Sequence, residues 1–301
     1  MKLSGIAIRR KNIQGMKLKI SLIQTDIKWG DAQYNLNRIE ATLKSLKGTD
    51  IAVLPEMFAT GFMIEGTSHG ESMDGSIVTW MRKVSREYGF AVAGTVAVCD
   101  DDHHPEYNST FDDGRSNVDG SMLKADTKLE GGCRLKNRFV FATPDGCIET
   151  YDKRHLFSYG GENKSYTGGQ QRVVFEYKGF RIMPQICYDL RFPVWCRNRG
   201  DYDLLLYVAS WPTSRISVWD TLLKARAIEN QCYVVGVNRV GSDPVAEYCG
   251  HSAAVDFKGL QIAAHAQPFE NILTVELDSD KLQSFREKFR AWEDADVFQI
   301  G

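Results

Sequence analysis

The chain reads as short apolar runs separated by amphipathic stretches, and two periods divide it into elements. "LKISLIQT" (18–25) alternates apolar and polar positions, as a half-buried strand does. Leu36, Ile39, Leu43 and Leu46 then recur at helical spacing, and Gly48 closes that helix. "IAVLP" (51–55) is a short continuous apolar run, the signature of a buried strand. Ile77, Trp80, Met81, Val84 and Tyr88 form a second helical stripe that stops at Gly89, and "FAVAGTVAV" (90–98) follows as a strand. The resulting β-α-β-α-β order predicts an α/β sheet.

The rhythm then changes. "RFVFAT" (138–143), the turn "PDG" and "CIETY" (147–151) predict a hairpin, and "VVFEY" (173–177), "KG" and "FRIMPQIC" (180–187) predict another. "FPVWCRNRG" (192–200) reads as helical, "DLLLYVAS" (203–210) as a strand, and "SVWDTLLKARAIENQ" (217–231) as a long helix. Strands follow in "CYVVGVN" (232–238), "SAAVDFKGLQIAAHA" (252–266) and "NILTVELD" (271–278), before a capped closing helix in "SDKLQSFREKF" (279–289). Many strands and few helices predict two stacked mixed sheets covered by helices, with no internal repeat and no linker. Residues 100–136 break the pattern: they are polar, rich in Asp and Gly, and read as a long surface insertion. His103 and His104 lie in it, but adjacent histidines point apart on extended chain, so the segment reads as a solvated loop and no metal site is assigned.

Composition narrows the class. A chain of 301 residues, 43% hydrophobic and 25% charged, suits a soluble globular protein able to bury a large core without metals or disulfides. Its net charge of −2 and dispersed Lys and Arg give no support to a nucleic-acid partner. No apolar run approaches the roughly 20 residues of a membrane span. Residues 1–15 are basic without an apolar core and read as an upstream extension or tag-like tail rather than a signal peptide, with residues 16–301 as one domain. The cysteine count is seven, with no CxxC; together with the weak leader this points to a reducing cytoplasm and inert thiols.

Three reactive residues sit at strand ends: Glu56 after "IAVLP", Lys153 after "CIETYD", and Cys187 after "RIMPQI". In α/β sheets ligands gather outside the carboxyl ends of strands, so the three could converge. A nearby ammonium lowers a thiol's pKa, a carboxylate can carry its proton to a leaving amine, and the ammonium can hold an oxyanion. Taken singly, each also fits a plainer role: a cap for Glu56, a solvated charge for Lys153, a core thiol for Cys187.

The surrounding words go further. "VLPEMFATGF" (53–62), "YDKRHLF" (151–157) and "QICYDLRFP" (185–193) resemble the three signature segments of the nitrilase, or carbon–nitrogen hydrolase, superfamily, in its chain order of Glu, Lys, Cys. "YVASWP" (207–212), "LLKARAIENQCYVVGVNRVG" (222–241) and "YCGHSAAVDFKG" (248–259) extend the resemblance from about Met16 to Phe289, excepting the acidic insertion. "PEMFATGF", "DKRHLF" and "SWP" are nearest in wording to the bacterial omega-amidase group, with Ser210 where the family usually has Asn. The resemblance implies a four-layer α-β-β-α sandwich, a homodimer or larger homo-oligomer, and no cofactor. It implies Glu56 as general base, Lys153 as oxyanion stabiliser, Cys187 as nucleophile, and Glu162 in "GGENKSYTGG" (160–169) as a second glutamate positioning Lys153 or the attacking water.

The activity implied is hydrolysis of the terminal amide of 2-oxoglutaramate or 2-oxosuccinamate through a cysteine thioester. Other readings are a carbamoyl-amine hydrolase, an aliphatic amidase, or a scaffold that has lost the chemistry. The backbone N–H of Tyr188 is the expected second oxyanion donor, and Phe62 and Trp211 are candidate pocket walls, or ordinary core aromatics. Arg191 and Arg154 are candidates to hold a substrate carboxylate, although the expectation for Arg191 is a structural pairing with Asp189 or Glu229.

Overall fold

The computed structural model describes residues 15–64, 69–99, 134–296 and 298–300. Its elements are β1 (Lys17–Gln24), α1 (Ala32–Ser45), β2 (Ile51–Val53), α2 (Ser76–Tyr88), β3 (Ala91–Cys99), β4 (Leu135–Ala142), β5 (Ile148–Asp152), β6 (Phe175–Tyr177), β7 (Phe180–Ile186), β8 (Leu204–Ala209), α3 (Ile216–Asn230), β9 (Tyr233–Asn238), β10 (Val240–Ser242), β11 (Glu247–Cys249), β12 (Ser252–Val255), β13 (Gln261–His265), β14 (Asn271–Asp278) and α4 (Ser279–Lys288). Two six-stranded sheets form, in the orders β14-β1-β2-β3-β4-β5 and β13-β12-β9-β8-β7-β6. Both have parallel centres, β1-β2-β3 and β7-β8-β9, and antiparallel flanks.

Strand alternation produces the layers. Ile51 and Val53 of β2 face the second sheet, together with Leu18, Ile20 and Leu22 of β1 and Phe139 and Phe141 of β4. Ala52 and Leu54 face the other way and pack with Leu36, Ile39 and Leu43 of α1 and Ile77, Met81 and Val84 of α2. On the far side Trp219, Leu223 and Ala227 of α3 cover the second sheet. The fold is therefore the four-layer α-β-β-α sandwich that the resemblance implied. Gly89 ends α2 in the left-handed conformation expected of a glycine stop (φ 75°), whereas α1 ends at Ser45, ahead of Gly48.

Three expectations need correction, and one element was not foreseen. Residues 192–200 are not a helix but a turn and extended chain, because Asn198 spends its side chain on Gly200 N, Asp201 N, Tyr202 O and Asn230 O, bonds that compete with a helical ladder. The insertion ends sooner than residue 136, since Leu135 and Lys136 already pair with Cys99 and Val98 in the β3–β4 ladder. Residues 100–133, with His103 and His104, and residues 1–14 lie outside the described residues. The hairpin of β10 and β11 had no sequence signal; buried Arg239 holds it through Asp243 and the Ser242 carbonyl. Cys99 is disulfide-bonded rather than an inert thiol.

Gly236 of β9 lies flat against α3. A Cβ there would stand 2.7 Å from Trp219 Cζ2 and 2.9 Å from Leu223 Cδ1. Overpacking of this kind costs about 1–3 kcal/mol. Gly236→Ala should lower the denaturant midpoint accordingly, and an unchanged midpoint would show that α3 gives way freely.

Candidate active site

Each sequence-predicted residue is carried to the same end of the sandwich by its strand. Glu56 follows β2 by way of Leu54 and Pro55, Lys153 follows β5 directly, and Cys187 follows β7 directly. The first two belong to one sheet and the third to the other, so the site lies where the sheets open. Both turns are strained: Met57, next to Glu56, has φ 50° and Cys187 has φ 43°, left-handed values uncommon for residues with a side chain. Met57 N is anchored by Thr95 Oγ1 at 2.8 Å.

The turn at Cys187 is clamped by Asp189, which is fully buried. Its carboxylate accepts from Ile186 N (3.1 Å), Tyr151 Oη (2.8 Å) and His155 N (2.9 Å), and lies 2.8 Å from His155 Nδ1. Tyr151 and His155 flank Lys153, so one carboxylate ties the turn of Cys187 to the segment of Lys153.

The charged groups form a closed network. Lys153 Nζ donates to Glu56 Oε1 (2.9 Å) and to Glu162 Oε2 (2.9 Å), and all three residues are at most 1% exposed. Asn137 Nδ2 bridges both carboxylates, at 2.8 Å from Glu56 Oε1 and 3.2 Å from Glu162 Oε1. The other Glu56 oxygen accepts the Ser210 amide at 2.9 Å, from the end of β8. Phe157 N donates to Glu162. Burial by itself would lower the Lys153 ammonium, but Glu162 and Glu56 outweigh it and raise it, so it stays charged. Glu162 is raised, first by burial, with Lys153 pulling down and Glu56 pushing up.

The Cys187 thiol is pushed well above the usual range, first by burial and then by the Glu56 charge, which together overcome Lys153. That reverses the expectation of a thiol acidified by its ammonium neighbour. Burial disfavours the thiolate, and the Glu56 charge beside it adds to that, against the pull of Lys153.

The cleft above this network takes in Glu56, Lys153 and Cys187 with Tyr188, Phe62 and Trp211, and holds about 690 Å³ of non-protein space, part of it open to solvent. Lys153 Nζ sits 5.0 Å from the Phe62 ring centroid. Tyr188 packs edge-on to Phe157. Trp211 is fixed by Asn238, which accepts from its N–H at 2.7 Å and donates to its carbonyl at 3.0 Å. Glu162 lies beneath, behind Lys153.

A family model, carbon-nitrogen hydrolase, matches residues 19–287. The chain belongs to the carbon–nitrogen hydrolase family. The omega-amidase YafV of Yersinia enterocolitica is 42% identical over 94% of this chain and 98% of its own length. A 2-oxoglutaramate amidase of Bacillus subtilis is 32% identical over 93% and 98%. Among solved structures, XC1258 of Xanthomonas campestris, a CN-hydrolase superfamily protein with an arsenic adduct in its active site, superposes with a TM-score of 0.82 at 39% identity, covering 95% of this chain and 99% of that one.

The two arginine candidates separate in this carbon–nitrogen hydrolase. Arg154 bonds Gly169 O at 3.1 Å and stacks on Trp195, outside the cleft. Arg191 makes no ion pair with Asp189 or Glu229, contrary to expectation. Asp189 is filled by the bonds above, Glu229 pairs with Arg226 at 2.9 Å, and Arg191 lines the cleft over the Trp211 ring. Sequence reasoning missed Asn137, although a signal existed: it is the polar member of an inward-facing set whose other members are Leu135, Phe139 and Phe141. It also gave no sign that Arg215 would line the cleft.

Glu56→Gln removes the charge that, next to burial, holds the thiol up. The apparent pKa for alkylation of Cys187, followed by mass spectrometry against pH, should therefore fall in the variant while amide turnover collapses. An unchanged or higher apparent pKa would sink this electrostatic account.

Proposed function

We propose that the protein is an omega-amidase that hydrolyses the terminal amide of short 2-oxo dicarboxylate monoamides, 2-oxoglutaramate and 2-oxosuccinamate, to the 2-oxo diacid and ammonia. The observation that carries this reading is the meeting of Cys187, Glu56 and Lys153 in one cleft of a chain whose relatives include proteins named omega-amidase and 2-oxoglutaramate amidase.

In this reading Glu56 takes the Cys187 proton as sulfur bonds to the amide carbonyl carbon, and the oxyanion forms beside Lys153 and the Tyr188 N–H. The carboxylate's negative charge is neutralised as the oxyanion's appears, so the buried cluster keeps its net charge through the step. Glu56 next gives its proton to the departing ammonia, leaving a thioester. Water loses a proton to Glu56, attacks the thioester carbonyl, and releases the acid as the thiol is restored. Glu162 and Asn137 position Lys153 and Glu56; Phe62 and Trp211 bound the substrate. No cofactor or metal enters this scheme.

We further propose one catalytic domain over residues 16–301, supported by the eight-residue pairing of β1 with β14 that joins the two ends. A homodimer or larger homo-oligomer agrees with the exposed apolar side chains of Val194 and Ile228. A cytoplasmic setting is supported by the five free thiols among the described residues and opposed by the disulfide at Cys99. Among the described residues no helix is long and apolar enough to cross a membrane.

Ammonia release should be fastest, in kcat/KM, from 2-oxoglutaramate or 2-oxosuccinamate when compared with N-carbamoyl amines and simple amides. Cys187→Ala should lower it by about 10⁴-fold or more. Preferred turnover of a carbamoyl amine, or activity retained without the thiol, would overturn the proposal.

A further inference from the structure

One stretch of the cleft wall hangs on a single hydrogen bond. Phe62 and Ile64 line the cleft, and the Phe62 ring centroid lies 5.0 Å from Lys153 Nζ. Residues 62–64 run on from the turn of Glu56 and belong to no helix or strand. Met63 N donates back only to Gly61 O, at 2.9 Å. Among the described residues, one hydrogen bond ties residues 62–64 to anything beyond Gly61: the Tyr166 hydroxyl donates to Met63 O at 2.9 Å.

Tyr166 is well placed to hold that wall. It is fully buried and belongs to the segment of Glu162, whose carbonyl accepts from Tyr166 N at 2.9 Å. It also bridges to Leu135 at the start of β4, and its own carbonyl accepts from Arg134 at 2.9 Å. Its ring stacks on Phe62, with centroids 6.4 Å apart and planes 28° apart. Burial, then the charges of Glu162 and Glu56, push its hydroxyl well above the usual range, so the proton stays available to donate. A phenylalanine would stack on Phe62 equally well, so packing does not account for the hydroxyl.

His69 gives the hydroxyl its direction. Its Nε2 lies 2.9 Å from Tyr166 Oη. A carbonyl only accepts, so the single Tyr166 proton goes to Met63 and His69 Nε2 must donate to the hydroxyl oxygen. His69 Nδ1 is buried and has no partner among the described residues. A proton there would be a buried donor without an acceptor, so the ring is neutral. The bonds therefore run one way, from His69 to Tyr166 to Met63, and they tie the segment of Glu56 to the segment of Glu162.

We propose that Tyr166, oriented by His69, is a positioning residue that sets the Phe62–Ile64 wall and with it the fit of the substrate's carbon chain. This rests on the omega-amidase reading only for the choice of 2-oxoglutaramate as probe. Loss of the tie leaves Glu56, Lys153 and Cys187 in place but lets the wall move, so it weakens substrate binding more than it slows the chemistry.

The test measures kcat and KM for 2-oxoglutaramate and for butyramide on wild type, Tyr166→Phe, His69→Leu, His69→Gln and the Tyr166→Phe/His69→Leu double variant, with melting temperatures as a check on folding. Tyr166→Phe should raise KM about fivefold, the scale of one hydrogen bond, with kcat within about twofold of wild type. His69→Leu should raise KM less. His69→Gln, which keeps an N–H donor, should recover most of that loss, and the double variant should be no worse than Tyr166→Phe. A KM unmoved in folded Tyr166→Phe, or a fall in kcat at constant KM, overturns the proposal, because fewer folded molecules lower kcat alone. A further rise in KM in the double variant overturns the part given to His69. Wild type inactive on 2-oxoglutaramate but active on butyramide would refute the omega-amidase reading, and KM for butyramide in the variants then decides the wall.

Discussion

Everything at the working end of this protein answers to one electrostatic constraint: two carboxylates and one ammonium are buried together, almost without solvent. Such charges are tolerated only when paired and hydrogen-bonded. Lys153 bonds both glutamates, Asn137 bridges them, and the Ser210 and Phe157 amides supply the remaining donors. These partners come from β4, the end of β5, the loop after it and the end of β8. The network therefore requires both sheets to be in register before any of its charges can be desolvated. Burial, with the Glu56 charge beside it, keeps the thiol of Cys187 protonated, which suits a nucleophile that gives up its proton only as it attacks.

The same region stores backbone strain. Left-handed residues at Met57 and Cys187 cost on the order of 1–3 kcal/mol each, and surrounding bonds must hold them. Thr95 does so for the first, and Asp189 for the second. Asp189 has a further consequence. Because its donors include Tyr151 and His155, the position of the nucleophile and that of Lys153 are set by one shared carboxylate. His155 in turn stacks on Phe192 at 3.8 Å between centroids, and Phe192 meets Tyr188 edge-on, so the aromatic wall of the cleft is braced by the same clamp.

The opposite wall depends on a different buried ion. Arg239 is fully buried and organises the hairpin of β10 and β11 through Asp243, with Tyr248 beneath its guanidinium. That hairpin places Val245, Ala246 and Tyr248 on the cleft. Fully consumed charges hold the walls, while Arg191 and Arg215 stack on the aromatic rings of Trp211 and Phe157 at the cleft.

Much of this was legible in the chain. Period-two and helical spacing located nearly every strand and all four described helices, because alternate burial is imposed by the sheet and repeats locally. The words around Glu56, Lys153, Cys187 and Glu162 pointed to the family, and the strand-end placement of the first three suggested a common site. The missed features share a physical cause. The false helix at 192–200 depended on Asn198 finding Asn230, and Asn137 mattered only because two carboxylates arrive from elsewhere. The Arg191 pairing was misjudged because Asp189 is filled by Tyr151 and His155, residues distant in sequence, and Glu229 by Arg226 on its own helix. Even the direction of the Cys187 shift was misread from the presence of a lysine, since it depends on how many opposing charges share the burial. Local pattern determined the elements and the reactive residues; long-range contact decided which charges are spent, which are free, and what the thiol's resting state is.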